Sequence, residues 1–226
     1  MTSVPQRAFV LPPDATEVIF ARHGASAPAV PGVRFPVDAY GHGDPPLAPE
    51  GEAQAEVLAE RLARYPLTGL FVTSLRRTVQ TAAPLAERTG LAPVVVPELR
   101  EVSLGEWEGG EWRIRVAAGD PVAMRVLDEE RWDVIPGADS PATLGARVRA
   151  GVEKVVAAIG PGRVGAAIVH GGVIGEICRE ATGSRPFAFI HSDNASITRL
   201  VVFGDGRRLL RTFNDTAHLE GVASSA

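Results

Sequence analysis

The sequence predicts an α/β fold. We expect a three-layer sandwich: a mostly parallel sheet with an antiparallel edge strand, helices on both faces and a small helical lid over the carboxyl edge. Three observations carry this reading. The apolar runs Glu17–Ala21 and Gly165–Val169 each stop at a histidine–glycine step, in Arg22-His23-Gly24 and His170-Gly171-Gly172. Such runs read as buried strands opening into turns. Segments of helical period alternate with the strands, which is the pattern of a parallel sheet covered by helices. The chain then closes on two strand-like runs around Gly204-Asp205-Gly206, read as a hairpin.

The elements follow in order. Residues 1–16 contain Pro5, Pro12 and Pro13 without a period, and predict a flexible amino-terminal arm. Residues 17–22 form the first strand. Residues 25–48 are dense in proline and glycine and read as a long loop, which in a compact domain is usually functional or mobile. Pro49 to Arg64 reads as a helix, because Pro49 suits its first turn and Ala53, Val57, Leu58 and Leu62 share a face. Gly69–Val72 is a short strand, Leu75–Arg88 a second helix stopped by Gly90, and Pro93–Val96 a third strand.

From Ser103 to Gly137 the chain changes character. Trp107, Trp112 and Trp132 all fall here among many charges. Residues 103–137 therefore read as one or two helices forming a lid, not a separate domain. Leu144, Val148, Val152, Val155 and Ile159 mark a periodic helix ended by Gly160-Pro161-Gly162. The His170 strand is followed by a helix from Val173 to Ala181. Ser196–Phe203 and Arg207–Phe213 make the hairpin. One domain is thus expected over 17–219, with 220–226 as a tail.

Composition narrows the classes. The chain has 226 residues, 45% hydrophobic and 22% charged, enough for a sizeable core. Its net charge of −4 argues against nucleic acid or an anionic membrane surface as partner. A small anionic substrate remains compatible, since a cleft can be locally positive in an acidic protein. Cys178 is the single cysteine, so no internal disulfide forms, and its apolar helical setting suggests an inert thiol. The first ~15 residues lack the regions of a secretory signal. No apolar stretch nears the ~20 residues of a membrane helix, so a cytoplasmic location is expected. A homodimer is one assembly the chain allows, because an edge strand's apolar face and a dimer interface look alike in one dimension.

Four segments begin where strands should end: Ala21–Gly24, Thr73–Ala82, Leu99–Gly109 and Val169–Gly172. In open α/β sheets ligands bind at the carboxyl ends of strands, so all four can meet in one pocket. Two arginines and a helix N-terminus suit a phosphoryl dianion, because guanidinium forks and helix-end amides both donate to its oxygens. A neutral imidazole among them can attack phosphorus, and adjacent positive charge keeps it neutral. A carboxyl group must then protonate the leaving oxygen. Glu101, Glu106 and Glu108 all lie in the third segment, and spacing alone does not separate them. Such chemistry needs no metal and no cofactor.

These residues resemble the histidine phosphatase superfamily, also called phosphoglycerate-mutase-like. Arg22-His23-Gly24 is similar to its first motif and His170-Gly171-Gly172 to its fourth. Aligning Gln80-Thr81-Ala82 on the second motif places the phosphate-binding arginine at Arg77 and leaves Arg76 on the solvated helix face. In the third motif a glutamate stands four residues before a glycine and Trp-Glu-Gly follows; Glu101, Gly105 and Trp107-Glu108-Gly109 match. Asp44-Pro45-Pro46-Leu47 with Gly51 and Gln54, and Asn214–Leu219, are weaker matches. The resemblance covers residues 17 to 219.

The resemblance implies a phosphomonoester hydrolase acting on a small phosphorylated metabolite. His23 would be the nucleophile and Glu101 the proton donor. Arg22, Arg77 and His170 would hold the phosphoryl oxygens, His170 also stabilising the transition state. Two departures bear on the reaction. The family's loop asparagine is replaced by Ala29 and its threonine after Asp-x-Pro-Leu by Ala48. The basic insert of the mutases has no obvious counterpart, which favours hydrolysis over mutase chemistry. The long first loop would bring Arg34, Phe35, Tyr40 and His42 toward the pocket mouth, where Arg34 or His42 would tune the accepted alcohol. His191 and His218 read as structural or surface residues.

Other classes fit less well. His170–Gly175 with Asp193 downstream faintly resembles a dinucleotide fingerprint, but a histidine occupies its first glycine position. The five histidines have no paired metal-ligand spacing. A member that binds phosphorylated ligands without turnover would not need the full set of candidate residues present here.

Overall fold

The computed structural model describes residues 5–221. Six strands form one sheet: β1 (Thr16–Arg22), β2 (Leu67–Val72), β3 (Pro93–Val95), β4 (Val164–Val169), β5 (Ile197–Val202) and β6 (Arg208–Asp215). Their order is β3-β2-β4-β1-β5-β6. The first four are mutually parallel, whereas β5 runs antiparallel to β1 and β6 antiparallel to β5. The antiparallel part is therefore the β5–β6 hairpin at one side of the sheet, in the place where the closing pair of runs predicted it.

Six helices complete the chain: α1 (Pro49–Leu62), α2 (Arg76–Thr89), α3 (Glu111–Ala117), α4 (Pro121–Asp128), α5 (Pro141–Ile159) and α6 (Gly171–Thr182). Strand β1 is buried from Thr16 to Ala21, as expected of a central strand covered on both faces. Its side chains alternate between two cores. Val18 and Phe20 join Val148, Val152 and Val155 of α5 and Ile174 and Ile177 of α6. Ile19 and Ala21 join Leu58 and Leu62 of α1 and Leu85 of α2. The three layers are thus α1/α2, the sheet, and α5/α6.

Several boundaries shift by local chemistry. β1 opens at Thr16, whose hydroxyl donates to the Gly160 carbonyl at 2.9 Å, so the arm ends one residue earlier than expected. Residues 5–15 carry no helix or strand, and residues 1–4 of the expected arm and 222–226 of the tail lie outside the described residues. Helix α5 starts at Pro141 because Ser140 caps it, its side chain accepting from the Thr143 amide. Helix α6 starts at Gly171, immediately after β4, which puts His170 at the N-cap position.

The segment 103–137, expected as a lid, is continuous with the main core. Trp107, Ala123, Val126 and Trp132 are buried in the same cluster as Val18 and Phe20. Trp107, Trp112, Trp132 and Phe187 form a ladder of rings with centroid spacings of 6.1, 5.3 and 5.0 Å. No described helix is long and apolar enough to cross a membrane.

Candidate active site

Sheet order assembles the site. β1 and β4 are parallel neighbours in register, with Arg22 opposite Val169, and the His23 amide donates to the Val169 carbonyl at 3.0 Å. The two strand-end histidines therefore face each other, with ring centroids 5.2 Å apart at 61°. β2 lies on the other side of β4, so Thr73 reaches His170: its hydroxyl and His170 Nε2 are 2.9 Å apart. Helix α2 begins just beyond, and Arg77 in its first turn points back over His23.

His23 is buried and held in one tautomer. Its Nδ1 lies 2.7 Å from the carbonyl of Gly24, which can only accept, so the proton sits on Nδ1. Nε2 is left as a lone pair, and Arg77 Nε donates to it at 3.2 Å. Burial, then Arg77, then Arg22 push the His23 pKa well below its ordinary value. His170 is lowered likewise by burial, Arg77 and His23. Both rings are neutral at neutral pH.

The cations pay little to be here only if an anion comes. Burial lowers Arg77 to about 10 and lowers Arg22 from its ordinary value, with Glu101 opposing both shifts. Arg22 Nη1 donates to the Ser192 carbonyl, and Arg77 Nη1 donates to the Gly43 carbonyl at 3.0 Å. Arg22 Nε and His170 Nδ1 are buried with no hydrogen-bond partner among the described residues. Buried polar groups without partners are unfavourable, and oxygens of a bound anion would satisfy Arg22 Nε, and His170 Nδ1 in the tautomer that protonates it.

The three glutamates separate by position. Glu106 is exposed and does not line the cleft. Glu108 lines it and is held on the side of the first loop, its two oxygens accepting from the amides of Gly43 (2.7 Å) and Leu104 (2.9 Å). Glu101 lines it beside the N-terminus of α6, accepting from the amides of Val102 (3.0 Å) and Gly172 (3.4 Å). A Cβ at position 172 would come within 2.7 Å of Glu101 Oε1, so a side chain there would displace this carboxylate. A second close approach fixes the turn after His23: a Cβ on Gly24 would meet the Gly51 carbonyl oxygen at 2.4 Å.

The long loop is pinned rather than loose. The amides of Ala27 and Ala48 donate to the carbonyls of Pro46 and Ala25, both at 2.9 Å, and the Phe35 amide donates to the Gly109 carbonyl at 3.0 Å. This packing turns His42 and Phe35 into the cleft. It turns Arg34 away: Arg34 is exposed, does not line the cleft, and donates to the Glu108 carbonyl at 3.1 Å. Tyr40 is also exposed, under the Arg100 guanidinium. Arg76 is tied to Asp44, donating to its carbonyl at 2.8 Å. His218 bonds the Ala195 carbonyl, and His191 stands exposed at the cleft rim.

Sequence reasoning missed Arg113. In the first turn of α3 it crosses to the loop after His23, donating to the Ala27 carbonyl (3.1 Å) and Ser26 hydroxyl (2.8 Å), and it lines the cleft. Burial and Arg22 lower its pKa. An arginine one helical turn after Gly109-Gly110 was visible in the sequence, but nothing local says that this helix faces the site. The cleft has a volume of about 450 Å³. No cluster of metal-ligating side chains occurs among the described residues. Cys178 is buried and its thiol pushed up to about 12 by burial, so it takes no part.

The sequence model of the histidine phosphatase superfamily (branch 1) matches residues 18–216. The chain belongs to this superfamily. Glucosyl-3-phosphoglycerate phosphatase of Mycobacterium tuberculosis is 36% identical over 169 residues, 71% of this chain and 72% of that protein. A probable phosphoglycerate mutase of Yersinia enterocolitica is 29% identical over 197 residues, 80% of this chain and 86% of its own length. Among solved structures, native mycobacterial glucosyl-3-phosphoglycerate phosphatase is similar with a TM-score of 0.72 at 28% identity, covering 89% of this chain and all (100%) of its own. The phosphatases among these relatives support phosphatase activity for this member of the superfamily.

Proposed function

We propose that this histidine phosphatase hydrolyses a small phosphomonoester through a phosphohistidine at His23, without a metal ion. The observation that supports the reading is the locked tautomer: Nδ1–H on the Gly24 carbonyl, Nε2 unprotonated and accepting from Arg77 Nε. Nε2 attacks phosphorus, the P–N bond forms and the P–O ester bond breaks. Positive charge developing on the imidazole is spread onto the Gly24 carbonyl through Nδ1–H. Arg22, Arg77 and His170 hold the phosphoryl oxygens and stabilise the charge of the transition state. Glu101, as the carboxylic acid, gives its proton to the departing alkoxide. Water then attacks phosphorus and Glu101, now a carboxylate, takes its proton. The P–N bond breaks, releasing phosphate and restoring neutral His23.

Hydrolysis is favoured over mutase chemistry because of the leaving-group side of the cleft. Apart from Arg22 and Arg77, Arg113 is the one further arginine lining it among the described residues, and Glu108 and Asp193 line it too. A bisphosphorylated intermediate would meet those carboxylates. The test is denaturant quenching at alkaline pH with a labelled aryl phosphate, in excess chelator. Label is expected on wild-type protein and not on His23→Ala, whose turnover falls at least 1000-fold. Near-normal turnover by His23→Ala, or loss of wild-type activity to the chelator, would overturn the proposal.

A further inference from the structure

The first long loop buries a polar group that the phosphoryl chemistry leaves idle. His42 is 4% exposed and lines the cleft, yet neither ring nitrogen has a hydrogen-bond partner among the described residues. A buried imidazole in that state is unfavourable, so its surroundings must hold it in place. Asp38 does so. Its Oδ1 accepts from the amides of Tyr40 and His42, each at 2.9 Å, and its Oδ2 accepts from the Ser74 hydroxyl at 2.9 Å. His42 Nδ1 lies 3.7 Å from Asp38 Oδ1. Burial alone would raise the Asp38 pKa, but the bonds from His42, Ser74 and Tyr40 outweigh it and keep the carboxylate ionised.

In the neutral ring that carboxylate favours the proton on Nδ1 and leaves Nε2 as an acceptor. An acceptor repels phosphoryl oxygens, which carry lone pairs and charge; it suits an O–H. The phosphoryl group already has its donors in Arg22, Arg77 and His170. The position is also rigid and close to the reaction. Asp38 N donates to the His42 carbonyl at 2.9 Å, and the next residue, Gly43, holds Arg77 through its carbonyl and Glu108 through its amide.

We propose that His42, positioned by Asp38 and Ser74, accepts a hydrogen bond from a hydroxyl on the alcohol part of the substrate. Preferred substrates are then phosphates of polyols or sugars, not of alcohols that carry no further hydroxyl. The inference rests on the phosphomonoesterase reading above. A site built to bond a hydroxyl discriminates strongly against an analogue lacking it, whereas a purely apolar wall does not.

The experiment compares kcat/KM for glycerol 1-phosphate and ribose 5-phosphate with that for phenyl phosphate, in wild type, His42→Phe and Asp38→Asn. In wild type at least one polyol phosphate is expected to exceed phenyl phosphate. The ratio falls tenfold or more in His42→Phe, and in the same direction, chiefly through KM, in Asp38→Asn. Phenyl phosphate turnover in each variant reports that the protein is folded. A ratio kept within twofold in His42→Phe overturns the inference, as does a wild type that prefers phenyl phosphate. Those results leave the phosphatase reading standing; a wild type that cleaves none of the three esters sinks both.

Discussion

Acid should weaken this fold through His23 and His170, before any carboxylate with a lowered pKa titrates. Both are buried, and both have folded-state pKa values well below the ordinary one: by burial, Arg77 and Arg22 for His23, and by burial, Arg77 and His23 for His170. In the unfolded chain each titrates near about 6.5. Between the two values the unfolded state binds a proton that the native state does not. Stability is therefore full above about pH 6.5 and is lost as the pH falls, by up to about 1.4 kcal/mol per pH unit for each histidine. Between pH 7 and pH 5 this amounts to at most about 1.9 kcal/mol each, and about 4 kcal/mol together, the limit being reached when the folded values lie below that window. Asp38 and Glu180, both held below their ordinary values, titrate at lower pH, and His218, lowered by burial, adds to the loss in the same direction. Urea denaturation in phosphate-free buffers at pH 7, 6 and 5 measures the effect. His23→Asn should lose up to half of the pH dependence, whatever its stability at pH 7. Identical pH dependence in wild type, His23→Asn and His170→Asn would refute the reasoning.

Two further outcomes follow from the same geometry. Glu101→Gln should lower kcat for an alkyl phosphate by about 100-fold or more, the usual worth of a positioned general acid, and lower it much less for p-nitrophenyl phosphate, whose leaving group needs no proton; steady-state kinetics on the two esters decide this. Gly51→Ala should destabilise by about 1–3 kcal/mol or more, the range for overpacking, because its Cβ would stand 2.0 Å from the Ala25 carbonyl oxygen. A thermal melt unchanged from wild type would show that the α1 N-terminus can move away from the loop.

Much of this protein was written locally. The runs before His23 and His170 announce their strands, and Gly90 and Gly160 stop α2 and α5 where the sequence says they should. Hydrophobic period and turn residues act within a few positions of one another, so they survive reduction to one dimension. Arg77 rather than Arg76 required the family motif, because neighbouring residues in the first turn of a helix look equivalent until a partner is placed.

The tertiary structure decided the rest. Nothing local states that β4 lies beside β1, yet that neighbourhood alone brings His23 within 5.2 Å of His170. Among the glutamates, the turn at Gly105–Trp107 leaves Glu106 exposed, while Glu108 is held by the amides of Gly43 and Leu104 and Glu101 by those of Val102 and Gly172. In the loop, the Phe35–Gly109 and Gly43–Glu108 bonds turn His42 inward and Arg34 outward. Arg113 enters through the lid by the same kind of contact, to Ser26 and Ala27. These bonds join residues some 65 to 87 positions apart. A side chain's direction is set by whatever the fold puts opposite it, and for loop and lid residues that partner lies far outside any sequence window.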